Sequence, residues 1–401
     1  MAAIIFPEIF MLVNFFDFLC KSGDLWYGKR VRQARNNYMN NNKKALLSHF
    51  KNAASKDWLD WRWQFKNRIT SIAQLEQIIG KSLIGNVGKA ASVYPLAITP
   101  YYLSLAEFDA ENDPILAQCI PDNRELSSSQ GALADPLEED AHTPVPKLVH
   151  LYPDRCLAIV TETCATYCRH CNRKRFWSAS SQISLKTRLA KMLRYISASP
   201  QIREVIISGG DPLTFDDSTL EGLLSSFKAI PHVEILRIGS RVPVVMPMRI
   251  TKDLCRILKR YRPLWLNTQF NHPNEITPES ARACEMLLAS GIPVSNQSVL
   301  LRGVNDSKDV MQNLLCGLQK ISVRPYYLFH CDPVKGCEHF RTNIKTGMKM
   351  MDEIRQQCSG LSLPQYVLDV PGKTAKIPLN VMSQAIKNDF KKHQHFFDKF
   401  Q

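Results

Sequence analysis

The chain of 401 residues reads as an α/β protein, with strand–helix units following a helical N-terminal region. Three observations carry this. From residue 155 onward, short β-branched runs alternate with amphipathic stretches of helical period, at the spacing of a parallel sheet. Most of the strand candidates end in polar residues or glycine, as strands do at the catalytic rim of a β/α barrel. The composition, 45% hydrophobic and 22% charged, is that of a globular protein and excludes wholesale disorder, collagen and a coiled coil.

Residues 1–50 form an atypical extension, apolar at first and then basic and Asn-rich ("GKRVRQARNNYMNNNKK"). It is either disordered or weakly helical, or an untranslated stretch upstream of Met39. Pro7, Glu8, Asn14 and Asp17 interrupt its apolar start, and the first basic residue is Lys21. A signal peptide wants charge before its apolar core, and a membrane helix wants about twenty residues with few charges. Neither fits, so the expected compartment is the cytoplasm, with no membrane partner.

Residues 51–150 are expected to be largely helical, anchored by the aromatics of "DWLDWRWQFKNRI". The stretch "DPLEEDAHTPVPKLVHLYPDR" is expected to be extended and exposed, because Pro, Asp and Glu favour turns and solvent.

Residues 151–380 then carry the alternating pattern. The strand candidates are "CLAIVT", "EVIISGG", "EILRIGS", "LWLNTQF", "PVSNQSVL", "RPYYLFH" and "QYVLDV". Between them the period predicts helices such as Lys186–Ser197, Ser218–Ile230, Pro278–Ala289, Lys308–Ile321 and Thr346–Cys358. Residues 381–401 are a short basic tail. The net charge of +14 is spread along the chain without a run of like charges, which favours a solvated basic surface over a nucleic-acid partner.

Twelve cysteines in a large chain without a signal peptide read mostly as buried thiols. One cluster stands apart. In "TETCATYCRHCNRKRF", Cys164, Cys168 and Cys171 follow the first strand with C-x3-C-x2-C spacing. Soft thiolates this close suit an iron–sulfur cluster. With three cysteines, a [4Fe–4S] cluster keeps one iron open for a ligand. A zinc site and three incidental thiols are the alternatives. One strand later comes "ISGGDPL". Gly209 and Gly210 tolerate positive φ and close backbone approach. Asp211 either accepts from a ligand amine or caps the next turn.

The cysteine spacing at the end of a first barrel strand resembles the radical S-adenosylmethionine superfamily. "WLDWRWQFKNRI", "AITPYYLSL", "YPDR", "CRHCNRKRF", "RIGSRVPVVMPMRIT", "LNTQFNHPNEIT", "NQSVLLRGVND", "VRPYYLF" and "EHFRT" together resemble the lysine 2,3-aminomutase family, from about Asp57 to Ser383. The resemblance implies a partial β/α barrel, a [4Fe–4S] cluster, S-adenosylmethionine and pyridoxal 5′-phosphate. It implies an isomerase in which a 5′-deoxyadenosyl radical removes hydrogen from C3 of lysine and the amino group moves from C2 to C3, giving L-β-lysine. An outside electron donor such as flavodoxin or ferredoxin is implied too.

Residue by residue, the resemblance places the pyridoxal-bearing lysine at Lys376, anchored on the Lys-x-Pro of "YVLDVPGKTAKIPL"; Lys373, Thr374 and Ala375 stand where the family has glycine. Arg155 matches a phosphate ligand and Tyr152 flanks the ring, while Leu151 replaces a second arginine. Gly209, Gly210, Asp211, Ser240, Arg241, His170 and Gln297 are assigned to cofactor binding. Arg173 matches the arginine for the substrate carboxylate, and Asp332 and Asp369 match the aspartates for its distal ammonium. Its neighbours Lys174 and Arg175 are read as structural or solvated.

The chain departs from the family at its end. The tail has no cysteine and Ser307 replaces another, so a shared zinc is not expected and any homo-oligomer would form without it. The rival readings are a mutase supplying β-lysine for elongation factor P, another amino-acid 2,3-aminomutase, a radical enzyme without pyridoxal phosphate, and a non-catalytic metal or nucleic-acid binder.

Overall fold

The computed structural model describes residues 24–50, 53–80, 84–127, 131–177, 183–371, 373 and 375–379. The apolar start and the basic tail lie outside these. No helix among the described residues is long and apolar enough to cross a membrane.

Among the described residues, nine strands form one sheet in sequence order: β1 Leu148–Tyr152, β2 Arg155–Thr161, β3 Glu204–Gly209, β4 Ile235–Gly239, β5 Leu264–Thr268, β6 Val294–Leu300, β7 Arg324–His330, β8 Gln365–Leu368 and β9 Ile377–Pro378. Strands β2 to β8 are all parallel. The two end strands pair antiparallel, β1 with β2 and β9 with β8. The first and last strands are not paired with each other, so the β/α barrel is partial and open on one side.

Each crossover returns over the outside as a helix, which is what a parallel pair requires. Helix Pro278–Ala289 starts at Thr277, whose side chain accepts from the Ser280 amide. Helix Lys308–Lys320 is capped in the same way by Ser307. Each presents an apolar stripe to the sheet (Leu287, Cys284 and Ala283 on the first; Leu314, Leu315 and Leu318 on the second).

Two segments differ from their sequence-based reading. Asp24–His49 is a single helix. Its Asn42 side chain donates to the Ser104 and Ala106 carbonyls, and Leu46 is buried, so this helix packs on the body. The stretch from Asp135 to Arg155 is only partly extended and only partly exposed: it includes the 3-10 turn Asp140–His142, and Glu138, Asp140 and Pro144 face solvent. It contains β1, with Leu148 fully buried, and the buried Glu139. Its acidic residues look solvated in sequence because the arginines that neutralise them lie some thirty-five residues downstream, as in the Glu139–Arg173 and Glu139–Arg175 pairs.

Candidate functional site

The interior of the open barrel is a cavity of about 690 Å³. Every site residue named from the sequence lines it: Cys164, Cys168, Cys171, His170, Arg173, Tyr152, Arg155, Gly209, Gly210, Asp211, Ser240, Arg241, Gln297, Asp332, Asp369 and Lys376. Lys373 lines it as well.

The three cysteines sit on the loop that leaves β2. Burial pushes the Cys164 thiol well up and the Cys171 thiol up to about 11, and each is raised further by its sulfur neighbours. Three half-buried free thiols held together are costly to ionise and invite a cationic partner. Among the described residues no three His, Cys, Asp or Glu converge on a single ion. Three soft thiolates on one short loop suit a cluster that spreads them over several irons.

The helical N-terminal region holds this loop. Arg68 donates to the Cys164 carbonyl at 2.5 Å. Glu125, itself buried, receives Arg169 at 2.7 Å and Lys174 at 2.7 Å, so the cations flanking Cys168 and Cys171 are anchored by one carboxylate. Removing one partner from such a buried set typically costs about 3–5 kcal/mol. Lys174 is therefore structural, as read from the sequence.

The two glycines serve the loop before they serve a ligand. Gly209 has φ +132, and a Cβ there would meet the Thr161 carbonyl oxygen at 2.2 Å; at Gly210 it would meet the Thr163 oxygen at 2.3 Å. The β3 turn thus lies directly against the backbone that leads to Cys164. Gly210→Ala should cost at least about 1–3 kcal/mol from forced backbone movement. It should also lower the iron bound per chain after anaerobic reconstitution, relative to wild type. An unchanged iron content would show the loop to be more pliable than this packing implies.

Asp211 settles on the capping alternative. Its carboxylate accepts from Ser240 Oγ at 2.7 Å and from the amides of Leu213, Arg241 and Val242 at 3.1, 2.8 and 3.2 Å. Burial still pushes it up to about 6. With four protein donors it knots β3 to β4, and little of it remains for a ligand amine.

Arg241 points beneath the cysteines. It donates to Cys168 Sγ at 2.8 Å, and its other end meets Glu275 at 2.7 Å and Gln118 at 2.6 Å. A guanidinium here offsets negative charge placed on the sulfur. His170 is buried and held neutral, its ordinary value pushed well down by burial and by Arg241 and Lys174, with Nε2 beside Asn271 Nδ2 at 3.2 Å.

At the other end of the cavity, Arg155 stacks on the Tyr152 ring at 3.8 Å and pairs with Asp154 at 2.7 Å. A stacked guanidinium beside an aromatic face suits a phosphorylated planar ring. Lys376, just before β9, has its Nζ 4.9 Å from the Phe329 ring centroid. The donor set, a cation and ring at one place and a lysine amine at another along one cavity, fits pyridoxal phosphate.

Two placements add to what was read from the sequence. Asp369 does not stand free for a substrate cation: Lys376 Nζ donates to both its oxygens, at 2.6 and 2.7 Å. Asp332 accepts from Asn172 at 3.3 Å, and burial plus the nearby Asp369 push it up to about 7. Arg173 lines the cavity but is also gripped by Glu139, which the sequence reading missed. The available signal was charge: an acidic stretch, "DPLEED", facing the basic "CNRKRF".

Comparison with known proteins gives a consistent picture. The Radical SAM superfamily matches residues 158–314. An L-lysine 2,3-aminomutase from Clostridium subterminale is 49% identical over 341 residues, covering 84% of this chain and 82% of that protein. One from Fusobacterium nucleatum subsp. nucleatum is 47% identical, over 84% and 80%. A glutamate 2,3-aminomutase from Clostridioides difficile is 41% identical, over 86% and 83%.

Proposed function

Since this chain belongs to the lysine 2,3-aminomutase family of radical S-adenosylmethionine enzymes, we propose that it is an isomerase converting L-lysine to L-β-lysine in the open barrel. The observation that carries the choice of lysine is the pair of aspartates, Asp332 and Asp369, lining one cavity, where burial and the nearby Asp369 make Asp332 costly to ionise. Two carboxylates so placed call for a cation: Lys376 Nζ answers at Asp369, and the distal ammonium of the substrate takes its place once that lysine turns to the cofactor. A substrate ending in a carboxylate would add a third negative charge.

When bound, the cluster with S-adenosylmethionine supplies a carbon radical able to remove hydrogen, and pyridoxal phosphate supplies the conjugated system through which the nitrogen migrates. The chain's own work is holding. Cys164, Cys168 and Cys171 hold the cluster, and Arg241 balances charge at Cys168. Arg155 and Tyr152 hold the phosphate end, and Lys376 the aldehyde end. Arg173 takes the substrate carboxylate and the aspartates its distal ammonium. Electrons come from an outside one-electron donor of the flavodoxin or ferredoxin class, and the site needs neither membrane nor nucleic acid.

The test is anaerobic incubation with reductant and lysine, ornithine, arginine or glutamate, with products identified by mass spectrometry. L-β-lysine should dominate. Turnover of glutamate in preference to lysine would overturn the reading.

Two results should accompany it. Asp332→Asn should cut kcat/KM for lysine about tenfold to a hundredfold, roughly 1–3 kcal/mol, because a confined cation loses a charged partner. Iron content should not change. For pH the sign runs one way. Asp332 attracts a cation only when ionised, and burial together with Asp369 pushes its carboxyl up to about 7. As pH falls through that value the carboxyl takes up a proton, so KM for lysine should rise on the acid side. An Asp332→Asn variant that kept the same acid limb would assign the limb to another group.

A further inference from the structure

Arg173 has one edge already occupied. Glu139 Oε1 accepts from Nε at 3.0 Å and from Nη2 at 2.5 Å, and Oε2 accepts from Nε at 3.1 Å. Glu139 is itself held from a second side, since Arg175 Nη2 donates to its Oε2 at 2.9 Å. Arg175 in turn meets Asp135 at 3.0 Å. Glu139 is buried and lines the cavity. Among the described residues, no partner of Arg173 Nη1 is recorded, so the Nη1–Nη2 edge is the one left for a ligand.

We propose that Glu139 is a positioning residue for substrate recognition: it clamps the Nε side of Arg173 so that the opposite edge is presented, preset, to the substrate carboxylate. The proposal rests on Arg173 being the carboxylate-binding arginine.

The physical case is about alignment. An arginine side chain carries about 2 kcal/mol of rotamer entropy, and a two-point hydrogen bond to a carboxylate needs the plane of the guanidinium fixed. Glu139 supplies that fixing before the substrate arrives, which lowers the ordering cost of binding. Its own negative charge opposes the incoming carboxylate. Arg175 offsets that charge from the other side, so alignment is the larger effect. Moving Glu139 aside on binding is the unfavourable course, because it would strip both Arg173 and Arg175 of a buried partner at once.

The experiment uses the reconstituted full chain and reads KM and kcat for L-lysine separately. Glu139→Gln should raise KM about tenfold or more and leave kcat within about threefold, since the clamp acts on binding. Glu139→Asp keeps the charge, and therefore the fold, but its shorter arm cannot span both contacts. It should show the same KM-selective defect at smaller size. Arg173→Gln is made alongside, together with the double variant. If Glu139 acts through Arg173, the double variant should be no worse in kcat/KM than Arg173→Gln alone. Inhibition by 1,5-diaminopentane, which has both amines and no carboxylate, should be equally strong in wild type and Glu139→Gln.

Full additivity of the two substitutions would overturn the proposal. So would an unchanged KM in both Glu139 variants, or a lowered KM, which would make Glu139 a brake on carboxylate binding. An Arg173→Gln variant with wild-type KM would sink the prior reading of Arg173 instead, and so be told apart.

Discussion

Replacing Cys164, Cys168 or Cys171 with alanine should reduce S-adenosylmethionine cleavage to background and strip the anaerobic protein of its cluster absorbance. Each thiol is on the one loop that the helical region braces through Arg68 and Glu125, so no backbone shift brings in a substitute cheaply. The nearest alternatives are poorly placed. Cys337 Sγ is buried and donates to the Arg169 carbonyl at 3.4 Å, away from the cavity. Cys119 is buried and donates to the Ile115 carbonyl at 3.2 Å. Neither Cys337 nor Cys119 lines the cavity that the three cysteines share. Cys331 does line the cavity, but it follows β7 and is not on the loop after β2 that carries the triplet. Cys331→Ser is therefore the control, and should keep both iron and cleavage. Iron and sulfide per chain, measured after reconstitution, decide the matter. A triple alanine variant that kept its iron and its cleavage would refute the cluster assignment.

The fold was legible where one physical signal dominated. Helix Pro278–Ala289 and strand Arg324–His330 fall where the periodicity put them. The first begins at a threonine cap and Pro, and the second is built on the aromatic run Tyr326, Tyr327 and Phe329. Strand β1 was not legible. Its five residues lie in a stretch dominated by Pro, Asp and Glu, and only pairing with β2 makes it a strand.

The site divides in the same way. The cysteine triplet is a local pattern, so spacing reveals it. The Glu139 clamp is a contact between residues 34 apart, and the Arg241–Cys168 bond spans 73. No local pattern encodes such pairs. Asp211 shows the reverse case. The residue was found, but three of its four donors come from the loop after β4, Ser240 to Val242, and one from its own turn, so its capping contacts were not legible locally.

Lys376→Ala should abolish covalent attachment of pyridoxal phosphate while leaving the cluster intact, and turnover should fall about a thousandfold or more. The competing candidate is Lys373, which lines the same cavity. Two features favour Lys376. Its Nζ lies over the Phe329 ring, while Lys373 is exposed. Its amine also has a carboxylate partner that fixes where it points, in Asp369. That partner has a cost for the chemistry. Both oxygens of Asp369 hold Nζ, and the amine must leave them to reach an aldehyde. Asp369→Asn should therefore speed cofactor uptake at neutral pH, followed as growth of the linked chromophore, while weakening lysine binding. Borohydride reduction and peptide mapping then give the direct answer. The pyridoxyl group should be found on Lys376 in wild type and in Asp369→Asn, and on no peptide in Lys376→Ala. Recovery of the label on Lys373 in the wild-type protein would overturn the assignment and move the cofactor's aldehyde three residues toward the open rim.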